Sequence, residues 1–136
     1  MGIWGAAPFD NDDALDLLAD LDEGRDEDLI GGLRDALAQV EPGGTLEAPE
    51  VSEAVAAACL VAAQLEAGPR PEEPTAAAWL EAHPFEVDAS LRVSAAAALD
   101  RALLPGDNEW YELWEDADAL DEVNAALAPY RAALRS

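Results

Sequence analysis

The stretch PEVSEAVAAACLVAAQLEAGP, residues 49–69, decides the fold. Pro49 suits the first turn of a helix, where its missing N–H has no partner to lose. Glu50 and Glu53 favour the positive helix end, and Gly68-Pro69 stops the chain from continuing. Between them Ala54 to Ala63 is a run of ten apolar residues. A helix apolar on nearly every side must lie at the centre of a bundle, and its alanines let neighbours approach closely. Ten residues are too few to span a bilayer.

Outward from this helix, the punctuation predicts more helices and no sheet. Asp10-Asn11-Asp12-Asp13 is a cluster of N-cap residues, so a helix is expected over about 11–22, with Ala14, Leu15, Leu18 and Leu21 as its stripe. Asp26 to Asp28 open a second helix, which Pro42-Gly43-Gly44 ends. Gly31 and Gly32 lie inside it, each at a cost of about 1 kcal/mol against Ala, so either another helix approaches closely there or the helix begins later than Asp28. Pro69, Pro71 and Pro74 form a stiff connector. Thr75 is expected to cap a short helix with Trp79 and Leu80, ending before Pro84. Asp88 caps a longer one that Pro105-Gly106 closes. Asn108 caps a short segment holding Trp110, Leu113 and Trp114. Asp118 begins the last helix, which Pro129 is expected to kink or break. Residues 1–9, with Ile3, Trp4 and Phe9 among glycines and Pro8, read as a non-helical arm packed on the rest. The expected fold class is therefore all-α: a compact bundle of about five to seven helices, in a single domain spanning 1–136.

Charge limits the partners. The chain has 30 acidic residues against seven arginines and no lysine, a net charge of -23. No nucleic acid and no anionic membrane is expected to bind, because both rely on basic side chains. A basic protein is the partner class left open. The lone Cys59 cannot make an internal disulfide, and no signal peptide precedes the first helix, so a cytoplasmic location is expected.

Catalytic motifs are missing. There is no Gly-rich phosphate loop, no paired cysteines and no His-Glu-x-x-His; His83 is the only imidazole. His83 reads as a helix-end residue beside the last carbonyls. No catalytic residue is assigned and no cofactor is expected. Asp12, Asp16 and Asp20 recur every four residues, placing like charges on one helix face at about 0.2–0.5 kcal/mol per pair. Glu109, Glu112, Glu115 and Asp116 form a second patch. The candidate binding residues are Trp4, Asp10, Asp12, Asp16, Glu109, Trp110, Glu112 and Trp114, as an acidic and aromatic surface. The alternative is a divalent-metal hydrolase whose ligands would be Asp12, Asp16, Glu112 and Glu115, provided the two patches converge.

Two motifs carry a resemblance. Met1-Gly2-Ile3-Trp4-Gly5 with Pro8-Phe9-Asp10-Asn11-Asp12, and then Asn108-Glu109-Trp110-Tyr111-Glu112-Leu113-Trp114-Glu115, resemble the two ends of the bacterial family catalogued as domain of unknown function 4259. Ala7 stands where the family pattern suggests Gly. The resemblance implies a small, helical bacterial domain and carries no catalytic residue with it. The reading that follows is a non-enzymatic protein-binding or regulatory domain, possible in an immunity-like form against a basic partner.

Overall fold

The central helix forms as its punctuation requires. In the computed structural model, which describes residues 5–24, 26–40, 44–66 and 68–135, it runs Ala48–Gln64 with Pro49 in its first turn. We call it α3. From Val51 to Ala63 every residue but Glu53 is buried. Around it lie α1 (Asp12–Glu23), α2 (Leu29–Ala38), α4 (Pro74–Ala82), α5 (Ala89–Ala102), α6 (Glu109–Asp116) and α7 (Leu120–Arg135). All six pack on α3. The alanines make this possible: six alanines of α3 lie between residues 54 and 63, and all are buried. The fold is an all-α bundle, and no described helix is long and apolar enough to cross a membrane.

Several helix starts differ from expectation. Asn11 alone caps α1, its Oδ1 accepting from the Ala14 N–H at 2.8 Å. Asp26–Asp28 form a 3-10 turn, and α2 begins at Leu29. Glu73 caps α4 in place of Thr75, accepting from the Ala76 N–H at 2.8 Å. Pro74 takes the first helical position, where Pro is preorganised, so the cap falls two residues before Thr75. Asp88 caps α5 as expected.

Asp118 does not begin α7. It sits in the left-handed region at φ 56°, which Asp tolerates better than most residues. It ends α6 instead, with the Ala119 N–H returning to the Trp114 carbonyl at 2.9 Å. Pro129 does not break α7, which continues as one helix to Arg135. The carbonyl freed by its missing N–H is that of Ala125, four residues back. Both residues are exposed, so water can satisfy it.

Arginines fasten the outer helices. Arg92 on α5 donates to the carbonyls of Leu134 (2.7 Å) and Ala133 (3.1 Å) in the last turn of α7. Such donors satisfy the orphan carbonyls of a helix end. Arg131 and Arg135 both reach Asp100 Oδ1, at 2.8 and 2.6 Å. Partial burial pushes the Asp100 carboxyl up, but the two arginine hydrogen bonds outweigh it and its pKa is lowered. A carboxylate with a depressed folded pKa contributes stability above its unfolded pKa, and loses it as pH falls through the folded value. Asp100→Asn is therefore expected to cost under about 1 kcal/mol at pH 7, the range of exposed pairs. Urea melts should show the gap to wild type closing below about pH 4, the unperturbed carboxylate range. A gap that persists unchanged at pH 3 would rule the ion pairs out as its source.

Candidate functional site

The two motifs near the ends of the chain meet. Pro8 and Asn11 from the N-terminal segment lie against Trp110 and Trp114 of α6, with Ser52 and Val55 of α3 beneath and Leu127 of α7 beside them. The space left between them is only about 10 Å³, so this joint is filled. The rings of Trp110 and Trp114 stand edge to face, 6.1 Å apart. Trp110 is 5 % exposed and belongs to the core; its ring is closed to a partner. Trp114 is half-buried, and its indole N–H has no acceptor among the described residues. Trp4 lies outside the described residues.

The asparagines of both motifs serve the backbone. Asn11 caps α1, and its Nδ2 donates to the Pro8 carbonyl at 3.3 Å, folding the arm onto the helix start. Asn108 is 1 % exposed. Its Nδ2 donates to the carbonyls of Ala102 (2.9 Å) and Leu104 (3.0 Å), and its Oδ1 accepts from the Tyr111 N–H (3.0 Å). One side chain thus closes α5 and opens α6. Beside it Leu46 makes a parallel bridge, donating to the Asp107 carbonyl and accepting from the Glu109 N–H. Asn108→Ala would remove the cap and the buried amide donor to the Ala102 carbonyl, while the Leu104 carbonyl keeps Arg101. We expect a loss of about 1–3 kcal/mol by urea denaturation. A loss under about 0.5 kcal/mol, the level of a surface change, would mean water replaces the amide.

The acidic candidates separate. Asp10 is half-buried and its carboxylate folds over Gly5; a Cβ at Gly5 would collide with it. Asp12 and Asp16 are exposed on α1. Between them Asp13 is held above the usual carboxylate range, first by burial and then by the charges of Asp16 and Asp12. Glu112 and Glu115 are exposed on α6. Glu109 has a structural contact that its spacing did not foretell: its Oε1 accepts from the Ala48 N–H at 3.0 Å and caps α3, whose own N-cap residue Glu47 makes no such bond. Among the described residues, no group of three or more His, Cys, Asp or Glu side chains is placed to hold a metal ion. Asp12 and Asp16 are thus not gathered with Glu112 and Glu115 around one ion.

His83 is the C-cap residue of α4, as its position before Pro84 suggests. Its Nε2 lies 2.7 Å from Asp22 Oδ1, linking α4 to α1, and its ring lies 5.2 Å from that of Trp79. Cys59 is fully buried and reduced, and burial pushes its thiol pKa well up, so it carries no nucleophilic chemistry at neutral pH.

A further set of carboxylates, Asp20, Asp28 and Asp35, lines a groove where α1 meets α2. Only Asp20 belongs to a patch visible as a repeat in the sequence. The signal for the other two is their seven-residue spacing about Gly31-Gly32, which places both on one face of a helix.

No curated protein and no solved structure matches the chain. Residues 2–126 match the family described as Domain of unknown function (DUF4259), so nearly the whole chain is covered, including both motifs and the joint between them. The chain belongs to the DUF4259 family.

Proposed function

We propose that this protein is a non-enzymatic binding or regulatory domain that engages a basic protein in the cytoplasm through its acidic helical surface. One observation carries the reading: five of the six described arginines are engaged within the fold while most described carboxylates face water. Arg34 pairs with Asp88 and Ser90, and Arg131 and Arg135 share Asp100. Arg92 and Arg101 are bound to backbone carbonyls at the ends of α7 and α5. Asp12, Asp16, Asp20, Glu109, Glu112, Glu115 and Asp116 are all exposed. A surface of one sign speeds encounter with an oppositely charged partner and disfavours wrong ones.

The test is affinity capture from the native host at low and at physiological salt. A second bait carries Asp12→Lys, Asp16→Lys and Glu112→Lys. The reading expects a basic protein that is retained by the wild type and lost with the reversed charges. Captured proteins that are neutral or acidic, or indifferent to the reversal, would refute it.

A further inference from the structure

The groove between α1 and α2 combines an apolar floor with an anionic rim. Its volume is about 380 Å³. Leu17, Leu21, Leu29 and Ala36 form the floor. Asp20 from α1, Asp28 from the 3-10 turn and Asp35 from α2 stand at its edges, and all three are exposed. Glu53 of α3 also lines it, but its carboxylate already accepts from Gln39 Nε2 at 3.1 Å. The three rim carboxylates come from separate turns and do not gather closely enough to hold a metal ion. We propose that this groove docks an arginine side chain carried on a basic polypeptide partner. The proposal rests on the binding reading above and names the place where the partner engages.

Charge complementarity selects the occupant. A second copy of this chain, at a net charge of -23, would be repelled. An arginine side chain has the matching anatomy: an apolar stem to lie on leucines and a charged head for the rim. Its planar guanidinium offers five N–H groups diverging in a fork, which suits acceptors set apart on different elements. A lysine ammonium is a compact point charge and bridges such acceptors less well.

The two glycines of α2 have different roles. Gly32 lines the groove, and a Cβ there would lie 2.7 Å from Leu21 Cδ2, so packing of α1 on α2 accounts for it. Gly31 is exposed and a Cβ there would meet nothing within 4 Å. Packing inside the chain does not require it, although glycine weakens a helix interior. By helical spacing Gly31 lies between Asp28 and Asp35.

The probes are two synthetic 12-residue peptides, identical except that one carries three arginines and the other three lysines. Each is titrated into the full-length 15N-labelled protein at 50 mM NaCl and followed by amide NMR shifts. The arginine peptide should bind more tightly and move the amides of Gly31, Gly32 and Asp35. The double variant Asp28→Asn, Asp35→Asn should weaken it at least tenfold. Asp28 makes no side-chain cap bond, so the variant keeps α2 intact, which circular dichroism will verify. The control Asp121→Asn, Glu122→Gln removes the same charge on α7, outside the groove, and should change affinity less than twofold. Equal weakening by both double variants would overturn the groove but leave the acidic-surface reading standing. So would equal affinity for the lysine peptide. No binding of either peptide at 50 mM NaCl would overturn both.

Discussion

Phe9→Ala is expected to lower stability by about 3–5 kcal/mol, the range for deleting a fully buried ring. At this chain length, that corresponds to roughly 10–20 °C in melting temperature, at a few degrees per kcal/mol. Phe9 is 1 % exposed and is the largest fully buried side chain among the described residues. Pro8 before it is buried, and Asn11 after it holds the Pro8 carbonyl while capping α1. The ring is thus held from both sides, and the void left by alanine has little freedom to collapse. Phe9→Leu should cost much less, because most of the volume remains. Thermal melts of the two variants beside wild type test this. A shift below about 3 °C for Phe9→Ala, less than 1 kcal/mol, would mean that the arm is not anchored through its ring.

The second large effect is electrostatic. Two like charges 10 Å apart repel by about 0.4 kcal/mol in water, and salt at 0.1 M removes more than about half of that. The net charge of -23 leaves many such pairs. Subtracting the weaker repulsion in the unfolded chain leaves an expected gain of about 2–4 kcal/mol between low salt and 0.2 M NaCl. Urea midpoints measured over that range decide it. A flat or falling midpoint would mean that the carboxylates are spread too widely for repulsion to count.

Asp13 gives a local check on the same physics. Its folded pKa is raised, by burial first and by Asp16 and Asp12 next. A carboxyl with a raised folded pKa binds protons more readily in the folded state, so stability grows as pH falls through that value. Asp13→Asn should therefore stabilise the protein at pH 7. Its advantage should shrink as wild-type Asp13 takes up its proton.

Much of the bundle was legible because helices are local. Apolar spacing in α3, the cap at Asp88 and the cap at Asn108 depend on residues a few positions apart, and each stands where its pattern put it, while α3 ends at Gln64, short of Gly68-Pro69. The misses are those that depend on a competing neighbour. Pro74 drew the start of α4 back to Glu73, and solvent around Pro129 let α7 continue where Pro alone would argue for a break. Sequence also marked Trp110, Glu109 and Asp12 as alike in interest, since composition and spacing cannot say which side of a short helix faces inward. Tertiary packing separated them: Trp110 entered the core, Glu109 capped α3 from 61 residues away, and Asp12 stayed in water. Helix positions follow from hydrogen bonds within four residues, which the sequence carries directly. The joint between the arm and α6, and the groove carrying Asp20, Asp28 and Asp35, arise where separate helices are pressed together, and only the folded chain decides which faces meet.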